Sequence, residues 1–217
     1  KAIGLYVDEY NLAQISINLT DYKVTGIHTA FEACKSIVAS LNIAVTGSEL
    51  VGLVPLGSIL QSAEYYIQKE NLMIVEEAQK ISLVVDRLGL NSIAPFIPAK
   101  RIIEYLVREE GNEPLADLSV RDFVKSIAAR TSAPGGGSAS VVVAAIGAGL
   151  GCMVAQLTYG VRKFENVENE MRKIIPVLHR VTNDLILLID ADTNAFNDYV
   201  EATRLPKVTD EEKQFRN

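Results

Sequence analysis

Cysteine and histidine are scarce in this sequence. Its 217 residues include two cysteines, Cys34 and Cys152, and two histidines, His28 and His179. The cysteines lie in apolar segments without the spacing of metal ligands, and neither histidine has a nucleophile beside it in the sequence. We therefore expect no metal site. We interpret both cysteines as small buried residues in a reducing compartment, the cytoplasm.

An excess of positive charge is also missing. The sequence has 21 Lys and Arg residues against 27 Asp and Glu residues, which gives a formal net charge of -6. Because nonspecific binding to nucleic acid or to acidic lipid depends on positive charge, we expect neither partner. The apolar fraction of 48% is typical of a soluble globular protein with buried cores.

Two further absences concern the ends of the chain. The sequence has no initiator methionine and no signal peptide, since Lys1 leads directly into a strand-like run. At the other end, residues 210–217 look like the start of a helix. We therefore expect the sequence to be a piece of a longer polypeptide.

The spacing of apolar residues divides the chain into two regions. Before residue 108, strands are expected at residues 3–7, 13–19, 43–45 and 50–54, and helices at residues 24–41, 56–69 and 75–88, the last capped by Gly89. After residue 118 the pattern is wholly helical. These helices are expected from an N-cap at Ser119 to about residue 130, from the glycines to about residue 158, and from about residue 167 to residue 204.

A charged segment separates the two regions. Residues 108–118 are interrupted by Gly111 and Pro114, which is typical of a linker. We therefore predict an α+β protein, in which an α/β region of residues 1–107 is followed by this linker and by an all-α region of residues 119–217.

Three consecutive glycines precede one of the predicted helices, in the sequence Ala133-Pro134-Gly135-Gly136-Gly137-Ser138. Glycines let a ligand approach backbone N–H groups, and the start of a helix attracts negative charge. The turn is therefore a candidate anion site, with Ser138 as the helix N-cap. A flexible turn, or a close contact between two helices, explains the glycines equally well. The motif is neither a P-loop nor a dinucleotide-binding fingerprint.

The helix that follows the glycines contains no charged residue between Ala139 and Thr158, a length sufficient to span a membrane. Alanine and glycine dominate it, however, and they partition into lipid poorly. Its small residues recur at the spacing that lets helices pack closely. We interpret it as a helix buried on all sides in a soluble bundle.

Two aspartates lie on different faces of the last predicted helix. Asp192 shares a face with Leu188 and Phe196, where a carboxylate is costly unless it is paired or functional. A salt bridge or helix cap and a catalytic acid/base are both open for it. Asp190 lies on a polar face that we interpret as solvated or in contact with another subunit.

Two cations follow the uncharged helix. Arg162 and Lys163 come shortly after Tyr159, where the helix is expected to end. Cations at this position either offset the partial negative charge of the helix C-terminus or hold a carboxylate of a ligand.

Several motifs, taken in order, match one family of enzymes. In the first region they are Thr46-Gly47-Ser48-Glu49-Leu50-Val51-Gly52-Leu53-Val54-Pro55-Leu56, Arg87-Leu88-Gly89-Leu90 and Arg101-Ile102-Ile103-Glu104-Tyr105-Leu106, which resemble the second half of glutamate formiminotransferase. In the second region they are Ala133-Pro134-Gly135-Gly136-Gly137-Ser138, Thr158-Tyr159-Gly160, Asp190-Ala191-Asp192 with Ala195-Phe196, and Arg204-Leu205-Pro206-Lys207, which resemble the start of formimidoyltetrahydrofolate cyclodeaminase. Over essentially its whole length, the chain is similar to the bifunctional formiminotransferase-cyclodeaminase family.

The resemblance implies two consecutive reactions of histidine degradation. A formimino group passes from N-formimino-L-glutamate to tetrahydrofolate, and the 5-formimino product then cyclises to 5,10-methenyltetrahydrofolate with release of ammonia. The family implies polyglutamylated tetrahydrofolate as co-substrate, no metal, and a homo-oligomer, in this family a ring-shaped octamer. The transferase histidine of the family lies in a subdomain that precedes Lys1, so His28 is not assigned that role.

The resemblance also assigns residues to the cyclodeaminase site. Asp192 matches the catalytic residue of the family. The residues expected to bind the pterin or the glutamate tail of a folate are Gly135, Gly136, Gly137, Ser138, Tyr159, Arg162 and Lys163. The family often has a basic residue directly after the Tyr-Gly pair, whereas this chain has Val161. Two alternatives stay open: a related enzyme that hydrolyses methenyltetrahydrofolate, and a folate-binding or scaffold protein without turnover.

Overall fold

The computed structural model describes residues 1–9, 11–107 and 113–205, and the chain divides into two units, Lys1–Arg108 and Glu109–Asn217. The described part of the first unit combines a β-hairpin with helices, and that of the second is helical. The predicted α+β class is confirmed. The predicted linker lies partly outside the described residues, since only residues 113–118 of it are described.

The hairpin pairs strand β1, Ala2–Val7, with strand β2, Leu12–Ile17. The strands are antiparallel, with Ala2 opposite Ile17 and Val7 opposite Leu12. Asn11 has a φ of 53° and donates its backbone N–H to the Asp8 carbonyl at 3.2 Å, which closes the turn. Strands were predicted at residues 3–7 and 13–19, and both form within one or two residues of those bounds.

Three helices follow the hairpin at the predicted places. Helix α1 spans Ile27–Ser40, α2 spans Leu56–Lys69 and α3 spans Glu77–Arg87. The core of the first unit lies mainly between α2 and α3, where the apolar faces of both helices meet. Its buried residues are Val54, Ile59, Ala63, Tyr66, Ile81, Leu83, Val84, Leu88, Leu90 and Ile102.

Gly89 ends helix α3 as predicted. Its φ of 61° is left-handed, a conformation that costs glycine little. Gly89 donates its N–H to the Asp86 carbonyl at 3.1 Å, and Leu90 donates to the Val85 carbonyl at 2.9 Å. This pair of hydrogen bonds is a Schellman motif, and it brings Leu90 into the core.

The strands predicted at residues 43–45 and 50–54 do not form. Gly52 has a φ of 82°, which turns the backbone away from an extended path. The ladder is reduced to a single parallel bridge between Val54 and Ile102. Ile102 separates two short helices, α4 at Pro98–Arg101 and α5 at Ile103–Leu106. Short apolar runs around glycines therefore belong to an irregular loop here, although their composition favours strands.

A histidine joins α1 to α2. The ring of His28 stacks on Tyr65 with the ring centroids 4.5 Å apart, and its Nδ1 lies 3.2 Å from the hydroxyl oxygen of Ser62. Burial lowers the pKa of His28, and the charge of Glu32 partly offsets that effect. A neutral imidazole is therefore part of the contact between these helices.

The second unit contains three α-helices and one 3₁₀ helix among its described residues. They are α6 at Val120–Ile127, α7 at Gly136–Thr158, a 3₁₀ helix at Arg162–Val167, and α8 at Glu168–Arg204. Ser119 caps α6 by accepting the backbone N–H of Asp122 at 3.1 Å, as predicted. Helices α7 and α8 are packed antiparallel, since Ser138 contacts Ile189 and Cys152 contacts Ile175.

The prediction that α7 is buried on all sides is wrong for the described chain. One face packs on α8, where Gly151 lies against the side chain of Leu178. The opposite face is open, with Val143 70% and Leu157 68% exposed. Within the described residues, α7 is the one helix whose length and composition would suffice to cross a membrane.

Asp190 also differs from its prediction. It is buried rather than solvated, and its two carboxylate oxygens accept the backbone N–H groups of Leu115 and Ala116 at 2.8 and 3.0 Å. The segment of residues 113–118 covers this face of α8. Helical periodicity alone cannot reveal such a cover, because it comes from a distant part of the chain.

We expect Asp190→Asn to loosen the segment of residues 113–118. The amide keeps one acceptor but turns an NH₂ group towards a backbone N–H, so that one charge-assisted hydrogen bond is lost. Hydrogen–deuterium exchange of the Leu115 and Ala116 amides should become roughly tenfold to a hundredfold faster. Asp184→Asn, at an exposed position of the same helix, is the control. Equal exchange rates in both variants would show that the Asp190 carboxylate does not hold residues 113–118 in place.

We expect His28 to make the first unit less stable in acid. Because burial lowers its pKa in the folded state, its contribution is fully present above about pH 6.5 and is lost as the pH falls through the folded value. NMR titration should place the pKa of His28 below that of an exposed histidine. In His28→Phe, which keeps a ring against Tyr65 but cannot titrate, unfolding by urea should depend less on pH between pH 7.5 and pH 5. An unshifted titration would refute this account.

Candidate active site

The glycine turn leads directly into helix α7. Gly135 is the N-cap, and Gly136 is the first helical residue. The first intrahelical hydrogen bond runs from the Ala139 N–H to the Gly135 carbonyl at 3.1 Å, and the N-cap residue, a glycine, has no side chain to cap this end. The amides of residues 136–138 therefore precede the hydrogen-bonded part of the helix, and their N–H groups carry its partial positive charge.

Ser138 is not the N-cap that the sequence suggested. It lies inside the first turn of α7 and is fully buried. Its hydroxyl oxygen lies 2.9 Å from the Ile189 carbonyl oxygen, 3.1 Å from Asp192 Oδ2 and 3.0 Å from Thr193 Oγ1. The Ser138 hydroxyl is therefore hydrogen-bonded to α8 and does not face a ligand at the turn.

Gly137 provides the space in which the Asp192 carboxylate lies. A Cβ atom built on Gly137 would fall 2.5 Å from Asp192 Cγ and closer still to both carboxylate oxygens. Gly136 has no such neighbour among the described residues, where nothing lies within 4 Å of the corresponding position. One explanation left open for the glycines was a close contact between two helices. This contact is observed at Gly137, where the absence of a side chain leaves room for the Asp192 carboxylate.

A small cavity opens beside this carboxylate, with a volume of about 180 Å³. Its lining residues are Ser132, Ala133, Gly135, Gly136, Gly137, Asp192, Thr193 and Phe196. The cavity thus combines the positive end of α7, a carboxylate and one aromatic ring. A carboxylate at a helix N-terminus is favourably placed, and at an open cavity it is able to exchange a proton with a ligand.

The expected apolar enclosure of Asp192 is not found in the described chain. Asp192 is exposed, and so are the apolar residues on its face of α8, with Leu188 49% and Tyr199 67% exposed. The face was correctly recognised as one stripe. Its burial was not predicted correctly: the first turn of α7 contacts Asp192 through Gly137 and Ser138, but the apolar residues of the face remain exposed.

The predicted binding residues fall into two separate groups. Tyr159 is the C-cap of α7, and Arg162 and Lys163 lie in the 3₁₀ helix that follows. Helix α7 has 23 residues, so its two ends are about 33 Å apart. The guanidinium of Arg172 lies 5.0 Å from the centre of the Tyr159 ring, which places a further cation in this second group. Within one chain, the structure does not bring these residues to the glycine turn.

Sequence reasoning did not single out Thr193 and Phe196 as site residues. Thr193 directly follows Asp192, and Phe196 lies one helical turn beyond it. Helical spacing placed Phe196 on the same stripe, but only the position of α7 shows that the cavity lies there. No cluster of His, Cys, Asp and Glu side chains suited to a metal ion occurs among residues 1–9, 11–107 and 113–205.

A larger cleft of about 560 Å³ lies in the first unit. Its walls are mainly apolar and come from the hairpin, from α1 and from residues 45–50. The first five residues of the motif that begins at Thr46, up to Leu50, line one side of it. This motif thus has an exposed position, although its strands do not form.

Comparison with known proteins assigns each unit to a domain type. Residues 1–108 match the model of the formiminotransferase domain, and residues 119–217 match the formiminotransferase-cyclodeaminase model. The chain is 55% identical over 209 residues to formimidoyltransferase-cyclodeaminase of Dictyostelium discoideum, covering 95% of this chain and 39% of that protein. It is 50% identical over all 217 residues to the mouse (Mus musculus) formimidoyltransferase-cyclodeaminase, of which it covers 40%.

A relative with a different name is more distant. Methenyltetrahydrofolate cyclohydrolase of Methylorubrum extorquens is 35% identical over 106 residues, which is 49% of each chain. The two domain matches define a chain of a transferase-type unit followed by a cyclodeaminase-type unit. The chain belongs to the formiminotransferase-cyclodeaminase family, and it spans about 40% of the length of the bifunctional relatives.

We expect alanine at the two adjacent glycines to have different effects. Gly137→Ala should push the Asp192 carboxylate out of its position, whereas Gly136→Ala should leave it in place. Crystal structures of both variants would show this directly. Because alanine favours a helix over glycine, Gly136→Ala should unfold at the same temperature as the parent protein or slightly higher. An unmoved Asp192 in Gly137→Ala would contradict the steric argument.

Proposed function

We propose that this chain is part of a bifunctional folate enzyme. The first activity transfers a formimino group from N-formimino-L-glutamate to tetrahydrofolate, and the second converts 5-formiminotetrahydrofolate to 5,10-methenyltetrahydrofolate and ammonia. The order of the two matched domains and the similarity to bifunctional relatives along the whole chain support this proposal.

The cyclodeaminase step is proposed to use Asp192 as its acid/base. The observation that carries this assignment is the position of the carboxylate, which lies over Gly137 and lines the cavity at the start of α7. Ring closure forms a bond from N10 of the folate to the formimino carbon, and the attacking nitrogen loses its proton. The bond from that carbon to the amine then breaks, and the amine leaves after gaining a proton. One carboxylate relays a proton between the two nitrogens.

The rest of the cavity suits a folate. The N–H groups of Gly136 and Gly137 precede the first hydrogen-bonded turn of α7 and favour a negative or carbonyl oxygen. Phe196 offers an aromatic face for a flat ring. We propose that tetrahydrofolate binds here as co-substrate. Its polyglutamate tail is the natural ligand for the cations Arg162 and Lys163.

Association with further copies would reconcile the two groups of binding residues. They lie about 33 Å apart along one α7 helix, so we propose that the cations act at the glycine turn of another copy. The open apolar face of α7, with Ile146 58% and Val154 59% exposed, supports a homo-oligomer, which the family resemblance makes an octamer. We propose a cytoplasmic location for it.

The second candidate function is hydrolysis of methenyltetrahydrofolate, which the similarity to a cyclohydrolase supports. The transferase-type domain at residues 1–108 favours the bifunctional enzyme over this alternative. The two activities differ in their product, since only the cyclodeaminase releases ammonia.

We expect Asp192→Asn to lower the rate of ammonia release from 5-formiminotetrahydrofolate about a hundredfold or more, the usual contribution of an acid/base group. The amide keeps the shape of the side chain but cannot relay a proton. The assay uses the complete polypeptide that contains these 217 residues. Formimino transfer, measured on the same preparation, should persist.

Asp198→Asn is the matched control, because Asp198 is an exposed aspartate on the same helix, six residues away. Its rate of ammonia release should equal that of the parent protein. If the variants at Asp192 and Asp198 behaved alike, Asp192 would not be the acid/base. If neither the parent protein nor its variants released ammonia while methenyltetrahydrofolate was hydrolysed, the cyclohydrolase alternative would replace the proposal.

A further inference from the structure

We propose that Ser138 is a positioning residue for Asp192, and that its buried hydroxyl holds the carboxylate in both of its protonation states. The inference rests on the proposed function, because it concerns the group that relays the proton. It assigns to Ser138 a role other than the contact with folate that the family resemblance suggested.

The Ser138 hydroxyl has one proton to donate and two acceptor oxygens within hydrogen-bond distance. Its hydroxyl oxygen lies 2.9 Å from the Ile189 carbonyl oxygen and 3.1 Å from Asp192 Oδ2. A serine hydroxyl donates one hydrogen bond and accepts up to two. It therefore donates to one of these two oxygens at a time, and a rotation about its own C–O bond is enough to exchange them.

Thr193 completes the arrangement. Its hydroxyl lies 3.0 Å from that of Ser138 and is able to donate to it. When Asp192 is ionised, Thr193 donates to Ser138, and Ser138 donates to Asp192 Oδ2. Both hydroxyl protons are then used, and the carboxylate accepts a hydrogen bond on Oδ2, which leaves Oδ1 to exchange a proton with the ligand in the proposed reaction.

The same three oxygens fit the protonated state. When Asp192 takes the proton of the ligand on Oδ1, Oδ2 becomes the carbonyl oxygen of the carboxylic acid and still accepts the hydrogen bond from Ser138. No heavy atom has to move for this exchange. Because Ser138 is fully buried, water does not compete for these hydrogen bonds. The side chain of Asp192 thus keeps one orientation while its proton comes and goes.

Ser138→Ala tests the proposal in the complete polypeptide. We expect kcat for ammonia release to fall about tenfold while KM changes less than twofold, since the loss affects the orientation of a reacting group and not folate binding. Ser140→Ala is the matched control, because the Ser140 hydroxyl donates to the Gly136 carbonyl at 2.7 Å, on the same helix, and not to Asp192. Its kcat should be unchanged.

A double-mutant cycle separates positioning from a general structural effect. If Ser138 acts through Asp192, Ser138→Ala combined with Asp192→Asn should be no slower than Asp192→Asn alone. A rise in KM without a fall in kcat, or an equal factor lost in both backgrounds, would overturn the inference. If Ser138→Ala does not fold, Thr193→Val takes its place, with a smaller loss of kcat expected and an unchanged kcat counting against the proposal.

The outcome distinguishes this inference from the proposed function. A large loss in Asp192→Asn together with full activity in Ser138→Ala leaves the acid/base assignment intact and refutes the role of Ser138. Full activity in Asp192→Asn refutes both, because no relay group then remains for Ser138 to position.

Discussion

The first turn of α7 lies directly against the turn of α8 that carries Asp190 and Asp192, and the candidate site depends on this contact. Ser138 reaches the Ile189 carbonyl, and Gly137 leaves room for the Asp192 carboxylate. The partial positive charge at the start of α7 faces the same cavity. A shift of α7 that brought Ser138 to the place of Gly137 would put a side chain where the carboxylate now lies.

The two aspartates on this turn of α8 serve opposite purposes. Asp190 is buried and satisfied by two backbone N–H groups, so it is not available to a ligand. Asp192 points to the open cavity and accepts a hydrogen bond from Ser138 on the protein side. A buried carboxylate needs its donors to offset the loss of hydration, whereas one at a cavity is free to exchange a proton.

Much of the fold was predictable from the sequence, because local periodicity and capping residues decide it. The hairpin, the helices α2 and α7, the Ser119 cap and the Gly89 cap all follow from residues close in the chain. The strands expected around Gly47 and Gly52 fail because a strand needs a partner, and in the described chain these segments have one pairing, the bridge of Val54 to Ile102. The pattern of residues within one segment does not show which other segment will pair with it.

The candidate site, like the fold, was only partly predictable from the sequence. The face of α8 that carries Asp192 was evident from helical spacing, and the three consecutive glycines before a predicted helix had already indicated the turn. Which aspartate is buried was not evident, because residues 115 and 116 cover Asp190 from more than seventy positions away. The distance between the glycine turn and Arg162 follows from the length of α7 alone, and the sequence argument had overlooked it.

The contact between Gly137 and Asp192 ties two positions that are 55 residues apart in the sequence. Any side chain at 137 competes with the carboxylate for the same volume, so the two positions cannot change independently. Among related sequences, replacement of this glycine should therefore accompany a smaller residue, or a loss of function, at the position of Asp192. A glycine at this position in a related sequence therefore indicates, without a structure, that the carboxylate is still in place.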